Sequence, residues 1–127
     1  MIALQWRSLL LPLVPAEYFV DFQPATPDNC IALYNESASA LPESQALNID
    51  QFGLQVLVRH TDNSAARELA YKIFGELVGF SGDVDGEYVS ATYCDTMPAS
   101  IGRDENNRAE WTAHYRYRLQ TNTKHRS

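Results

Sequence analysis

Residues 110–119, EWTAHYRYRL, alternate apolar or aromatic side chains with polar ones. Successive side chains of a β-strand point to opposite faces of the sheet, so this pattern predicts a strand with one buried and one solvated face. The expected buried face comprises Trp111, Ala113, Tyr115, Tyr117 and Leu119, and the expected solvated face comprises Glu110, Thr112, His114, Arg116 and Arg118. Tyrosines and arginines on opposite faces do not form the mixed surface that binds single-stranded nucleic acid.

The polar stretch before this strand, GRDENNR at residues 102–108, holds four charged residues and two asparagines. Gly, Asp and Asn are typical of turns, because they accept backbone conformations that other residues avoid. The stretch lacks the paired nucleophile and base that catalysis would need. We therefore expect a turn that joins two strands of a hairpin.

Three other segments are predicted strands: residues 30–37 (CIALYNES), 51–61 (QFGLQVLVRHT) and 88–94 (YVSATYC). The second of these alternates most clearly. The residues expected on one face are Ile31 and Leu33 in the first strand, Phe52, Leu54, Val56 and Val58 in the second, and Val89, Ala91 and Tyr93 in the third.

Residues 63–80, NSAARELAYKIFGELVGF, predict an amphipathic helix. Its apolar residues recur at spacings of three and four, which forms one stripe: Ala66, Leu69, Ala70, Ile73, Phe74, Leu77 and Val78. Asn63 or Ser64 is expected to cap the N-terminus, since either side chain accepts a hydrogen bond from a free backbone N–H. Gly79 is expected to end the helix, because glycine adopts the left-handed conformation of a C-cap.

The first 27 residues combine an apolar start with four prolines. Residues 1–11 are expected to form a short helix that ends before Pro12, or else an extended apolar arm. Residues 23–29, QPATPDN, are expected to be a loop. The apolar start carries too little positive charge and too many prolines for a signal peptide, and it is too short for a membrane span.

The predicted order of elements is β, β, α, β, β. This order favours an α+β fold: a small antiparallel or mixed four-stranded sheet with one main helix packed on one face, plus an N-terminal arm or short helix. A chain of 127 residues suits a single domain. We divide it into an N-terminal arm or short helix with a loop (1–27), an α+β core (28–119) and a frayed tail (120–127).

Charge is distributed unevenly along the chain. Residues 1–102 carry 4 basic and 13 acidic side chains, a net charge of −9, whereas residues 103–127 carry 6 basic and 3 acidic ones, a net charge of +3. The sum is the −6 of the whole chain. An acidic chain does not favour broad binding to phosphate backbones, which needs clustered Lys and Arg.

Residues that carry chemistry are scattered. His60 precedes Asp62, which is compatible with a base and an orienting carboxylate, but no nucleophile motif accompanies them. GDVDGE at residues 82–87 lacks the distal bidentate Glu of a calcium loop. Cys30 and Cys94 show no zinc-binding spacing and are expected to be free thiols. We expect no enzyme activity, cofactor or metal.

Three segments together resemble the tail-terminator proteins of long-tailed bacteriophages, which are also described as minor capsid or tail completion proteins. PDNCIALYNES, from residue 27, resembles the first strand of that family. FGLQVLVRHTDNSAARELAYKIFGEL, from residue 52, resembles its strand-to-helix unit, and TMPASIGRDENNRAEWTAHYRYRL, from residue 96, resembles its closing hairpin. The resemblance covers about residues 28–119, and the N-terminal quarter departs from the family pattern.

The resemblance implies a non-enzymatic virion protein. Such proteins form a hexameric ring at the head-proximal end of the tail, stop polymerisation of the tail tube and provide the interface for head–tail joining. The implied partners are further copies of the chain, the tail tube protein, a head-completion or neck protein and the tape measure protein. DNA would pass through the lumen without specific binding, and the virion would be assembled in the host cytoplasm.

Two sets of charged residues follow as candidates for such a ring. We expect Arg103, Asp104 and Arg108 to contact a neighbouring subunit or the head side, or to lock the turn; the further interface candidates are Arg59, Arg116 and Arg118. The acidic residues expected to face the lumen, where repulsion would ease the passage of DNA, are Glu36, Glu43, Asp50, Asp83, Asp85 and Glu87.

Three other functions remain open from the sequence. The first is a head-closure or neck connector subunit. The second is a protein-binding module unrelated to virions, with residues 54–60 and 110–119 as its docking sheet. The third is a small hydrolase built on His60.

Overall fold

A computed structural model describes residues 3–36 and 49–120 of the chain. Along the sequence it contains α1 (Ala3–Leu13), β1 (Tyr18–Val20), β2 (Cys30–Glu36), β3 (Ile49–His60), α2 (Asn63–Leu77), β4 (Gly82–Val84), β5 (Glu87–Arg103) and β6 (Ala109–Gln120). Within these two ranges, neither helix is long and apolar enough to cross a membrane. Residues 37–48 and the part of the expected tail at residues 121–127 lie outside the described residues.

The six strands form one mixed sheet in the order β1-β2-β3-β6-β5-β4. Only β1 and β2 pair in parallel, and every other pair is antiparallel. The prediction of a four-stranded sheet with one main helix is therefore wrong. The two missed strands, β1 and β4, have three residues each, which is too short for alternation to be read from sequence.

Strand β4 was hidden in a stretch that has the composition of a turn. Asp85 and Gly86 both have positive φ angles, 51° and 92°, and they join β4 to β5. An Asp-Gly pair with this backbone forms the tight connection that suits the twist of a hairpin. The turn in GDVDGE is therefore confined to Asp85 and Gly86, and Gly82–Val84 pair with β5.

The N-terminal residues form helix α1, which continues past the proline expected to end it. Pro12 lies in the last turn, where its missing N–H removes one hydrogen bond, and the N–H of Val14 still donates to the carbonyl of Leu10 at 2.7 Å. Packing offsets this loss, because Trp6, Leu10 and Val14 are all buried against the sheet.

The N-cap of helix α2 lies one residue before the two candidates that the sequence suggested. The N-cap is Asp62, whose carboxylate accepts a hydrogen bond from the N–H of Ala65 at 3.3 Å. Asn63 is the first helical residue, and its side chain accepts from the indole N–H of Trp111. Gly79, with φ +80°, follows the helix as expected.

Both helices pack on the same face of the sheet and share one core. The inward stripe of α2 is Ala66, Ala70, Ile73 and Leu77, and the inward face of β6 is Ala113, Tyr115, Tyr117 and Leu119. Trp6 of α1 contacts the ring of Tyr117 edge to face, with centroids 5.0 Å apart. Burial raises the pKa of the Tyr117 hydroxyl to about 12.

Strand β5 is longer and more irregular than predicted. It runs to Arg103, and its register against β6 shifts at four places. Because of the first shift, between Val89 and Ala91, the residues that follow it point to the face opposite to the one that regular alternation predicts. Thr92 therefore faces inward and is buried, while Tyr93 faces outward and is 46% exposed, contrary to the prediction for Tyr93.

Candidate functional site

The turn at the tip of the β5–β6 hairpin is held together by Asp104. One carboxylate oxygen, Oδ1, accepts hydrogen bonds from the backbone N–H groups of Asn106 (3.0 Å) and Arg108 (2.9 Å). The other, Oδ2, accepts from Nε of Arg108 at 2.9 Å. The backbone N–H of Asn107 (φ 62°) donates to the carbonyl of Asp104. These contacts lock the turn within the subunit.

Two buried arginines connect this turn and strand β3 to the loop at residues 25–28, which precedes β2. Arg108 donates from Nη1 to the carbonyl of Ala25 (2.6 Å) and to the carboxylate of Asp28 (3.1 Å). Arg59 donates from Nη2 to the carbonyl of Pro27 (2.6 Å) and from Nε to that of Asp28 (3.1 Å). The 25–28 loop is therefore fixed by cations from two strands that are distant in sequence.

The acid sensitivity of the turn provides a test. The hydrogen bonds from the backbone and side chain of Arg108, with that from Asn106, hold the pKa of Asp104 below its usual value. A lowered pKa contributes stability above the pKa of the unfolded chain, and this stability is lost as pH falls through the folded value. We expect Asp104→Asn to lower the free energy of unfolding near neutral pH, with a deficit that shrinks below about pH 4.

Urea unfolding at a series of pH values measures this deficit. Glu105→Gln is the matched control, because it removes an exposed carboxylate from the same turn. A deficit for Asp104→Asn that stayed constant down to about pH 2.5 would contradict the assigned role of the carboxylate.

The sheet face opposite the helices carries two pairs of polar side chains. His114 approaches Glu36 with 2.9 Å between Nδ1 and Oε2, and Arg116 approaches Asp95 with 3.3 Å between Nε and Oδ2. Arg118 is half-buried on the same face of β6. Of the interface candidates, Arg116 and Arg118 thus share one face, while Arg59 is buried and Arg103 is exposed at the end of β5.

The acidic candidates lie at one end of the sheet. Strand registers align Glu36 with Gly53 and Arg116, and they place Asp50 opposite Leu119, which pairs with Val89. Glu87 and Asp83 lie beside Val89 in the β4–β5 hairpin. Asp85 occupies its turn. Glu43 lies outside the described residues, so five of the six candidates are brought to the same end of the strands.

Exposed apolar residues mark both lateral edges of the sheet, and sequence reasoning missed them. The three most exposed large apolar side chains in the described ranges are Met97 (57%), Phe22 (55%) and Ile101 (55%). Met97 and Ile101 lie on β5, and Phe22 follows β1 at the opposite edge. The available signal was weak: two large apolar residues four apart in the segment TMPASIGR, whose other side chains are small or polar apart from Pro98.

The geometry around His60 does not make a base with an orienting carboxylate. Nδ1 of His60 accepts a hydrogen bond from the backbone N–H of Asp62 at 3.0 Å. The Asp62 carboxylate instead caps α2. Within residues 3–36 and 49–120, no three His, Cys, Asp or Glu side chains are grouped to hold a metal ion.

The chain matches a family of known proteins. A family model described as bacteriophage tail terminator protein matches residues 3–121. A chain of a solved structure, "Virion of native gene transfer agent (GTA) particle", has a similar fold, with a TM-score of 0.62 and 17% sequence identity; the similarity covers 93% of this chain and 90% of that one. No curated protein matches. Because the family model spans the chain from α1 to the end of β6, the chain belongs to the bacteriophage tail terminator family.

Proposed function

We propose that this protein forms a homo-oligomeric ring at the head-proximal end of a phage tail, where it stops growth of the tail tube and provides the surface for head joining. The observation that carries the proposal is the family match over residues 3–121, which includes every helix and strand described above. The mechanism is steric: one face of the ring resembles the next tube layer, and the opposite face accepts no further layer. It requires no catalysis.

The ring has two axial faces and a lumen, and each of these surfaces contacts a different partner. The tail tube protein contacts one axial face, with the tape measure protein as a further candidate there, and the head-completion or neck protein contacts the other. DNA passes through the lumen. The shared location of Glu36, Asp50, Asp83 and Glu87 at one end of the strands supports a concentrated acidic surface for that passage.

Loss of the gene product tests the proposal directly. Without this chain, we expect tails of abnormal, mostly excessive length and DNA-filled heads without tails, both visible by negative-stain electron microscopy. Supplying the chain in trans should correct both defects, so that tails regain their normal length and join heads. Tails of normal length that simply fail to join would contradict the tube-stopping role.

Fractionation separates the proposal from its rivals. A terminator is expected to purify with tails made in the absence of heads, whereas a head-closure or neck connector subunit would purify with DNA-filled heads. A binding module unrelated to virions would purify with neither, and light scattering would show a monomer or dimer instead of a ring.

A contact role for the hairpin turn is part of the same proposal. Arg103 is the suitable probe, because it is exposed and its Nη1 donates only locally, to the carbonyl of Asn107 at 2.6 Å. Arg103→Ala is expected to reduce head joining or ring formation while the chain stays folded. The paired change Asp104→Ala with Arg108→Ala should have a larger effect, part of which comes from loss of the contacts that lock the turn and hold the 25–28 loop. If both variants assembled and joined heads normally, the contact role of the turn would be wrong.

A further inference from the structure

We infer that the two lateral edges of the sheet bind each other between copies of this chain: Phe22, which follows β1, inserts between Met97 and Ile101 on β5 of the next copy. This inference rests on the proposed ring and assigns the subunit contact within it. The contact is heterologous, since it joins two different surfaces, and a heterologous contact that closes on itself produces a ring.

The β1 edge holds Phe22 in a defined outward position. Asp21 has a φ angle of 65°, in the left-handed region that non-glycine residues seldom occupy. Asn35 fixes this residue, because its backbone N–H and its side-chain amide both donate to the Asp21 carboxylate at 2.9–3.2 Å. Phe22 also contacts the ring of Phe19 edge to face, with centroids 5.6 Å apart. A preorganised, exposed aromatic side chain is typical of an interface anchor.

The β5 edge offers an irregular apolar surface rather than a flat strand. One side of β5 pairs with β6, and on the opposite side β4 covers only Glu87 to Val89. Among the described residues, no strand pairs with that opposite side from Tyr93 to Arg103. Register shifts at Thr96–Ala99 and Ser100–Gly102 leave Met97 and Ile101 unpaired with β6. Bulges prevent an exposed edge from pairing indiscriminately, so recognition here depends on side chains.

The two side chains on β5 have the spacing and chemistry to accept a phenyl ring. Met97 and Ile101 are four residues apart in a bulged strand, so at most about 13 Å separates them along it, which leaves room for an aromatic ring between them. The methionine side chain is flexible, and its sulfur makes favourable contacts with ring edges. Burial of three side chains that are each more than half exposed would supply the hydrophobic contribution.

The two edges are offset along the strands. Val20 of β1 pairs with Leu33, which pairs with Val56, which pairs with Ala113 of β6. Ala113 faces the β5 bulge that contains Met97, between the pairs Thr96–His114 and Ala99–Thr112. Phe22 follows Val20 by two residues, about 7 Å toward the Glu36 end of the strands, so the contact requires neighbouring copies to be displaced along the strand direction by at least about this distance.

Charge is compatible with the same pairing. The β1 edge, residues 17–22, contains Glu17 and Asp21 and no basic residue, a net charge of −2. On the β5 edge, residues 93–103 contain one acidic residue, Asp95, and one basic residue, Arg103, a net charge of zero. Repulsion therefore opposes contact between two β1 edges and does not oppose contact between a β1 edge and a β5 edge.

A mixing experiment tests this contact. Phe22→Glu and Met97→Glu each disable one edge and leave the other intact, so each variant alone is expected to lose the ring and sediment as a single chain. An equimolar mixture retains one intact junction, between the β1 edge of the Met97→Glu chain and the β5 edge of the Phe22→Glu chain. We expect the mixture to form a dimer and nothing larger, measured by analytical ultracentrifugation or native mass spectrometry.

Tyr88→Glu is the matched control, because Tyr88 is an exposed aromatic residue at the other end of β5, where β4 pairs with the strand. This variant should form the normal ring. If the Phe22→Glu and Met97→Glu variants also formed normal rings, the edge contact would be wrong and the proposed function would stand. If the unaltered chain stayed a single chain even when added to tail tubes, both proposals would be wrong.

Disulfide cross-linking provides a readout that does not depend on how a variant folds. In a Cys94→Ser background, oxidation of a chain with Phe22→Cys and Met97→Cys should yield a ladder of covalent multimers up to the full ring. Cys30 is 3% exposed and should not react. The pair Phe22→Cys with Tyr88→Cys should yield no ladder, and equal ladders from the two pairs would overturn the assignment.

Discussion

Trp6→Ala is expected to lower the free energy of unfolding by about 3–5 kcal/mol, the range measured when a large buried aromatic residue is truncated. Trp6 is fully buried and contacts the rings of Tyr117 and Phe80 edge to face, with ring centroids 5.0 Å and 5.9 Å apart. Its removal leaves a cavity between α1 and the sheet that neighbouring side chains fill only in part. Domains of this size are stable by about 5–15 kcal/mol, so this loss is a large fraction of the total.

Urea unfolding followed by circular dichroism measures this change. Leu4→Ala is the control: Leu4 lies on the same helix but is 44% exposed, and its truncation should change stability by about 0.5 kcal/mol or less. Equal, small effects of both changes would mean that the helix does not belong to the core in solution. The comparison therefore decides between the two N-terminal structures that the sequence left open, a packed helix and an extended arm.

Arg59→Met is expected to lower the free energy of unfolding by about 2–4 kcal/mol, because hydrogen bonds to charged groups are worth about 1.5–3 kcal/mol each. Arg59 is 2% exposed, and its guanidinium donates to the carbonyls of Pro27 and Asp28. Methionine retains most of the apolar stem but leaves both carbonyls without this donor. The 25–28 loop should then loosen, with faster amide hydrogen exchange around it.

Two comparisons sharpen the prediction for Arg59. Arg67→Met removes an exposed arginine that lies over the ring of Tyr71 at 5.3 Å, and it should have a much smaller effect. Adding Arg108→Met to Arg59→Met should cost less than the sum of the single changes, since both arginines hold the same loop. Additive losses would show that the two arginines act on separate parts of the fold.

The candidate site was predicted in outline, from the composition of GRDENNR. Asp and Asn indicated a turn, and the structure shows that turn between β5 and β6. The partners of Arg108 at Ala25 and Asp28 are about eighty residues away, and local composition contains no information about them. The same holds for Arg59, which was expected to be an interface residue and which is 2% exposed, with its guanidinium bound to carbonyls of the 25–28 loop.

Sequence periodicity alone determined strands β3 and β6, helix α2 and most of the buried face of each, because many consecutive residues must repeat one pattern to bury one side. Val78 is an exception: it was expected on the apolar stripe of α2 and is 41% exposed beyond the end of the helix. Three sequence segments carried the resemblance to the tail terminator family, which the family model confirms. The tertiary structure was needed for three features: the short strands β1 and β4, the bulges that turn Tyr93, Met97 and Ile101 outward, and the burial of Arg59 and Arg108. Each of these depends on a neighbour that is remote in sequence, since a strand partner, a register shift or a loop carbonyl exists only once the chain has folded.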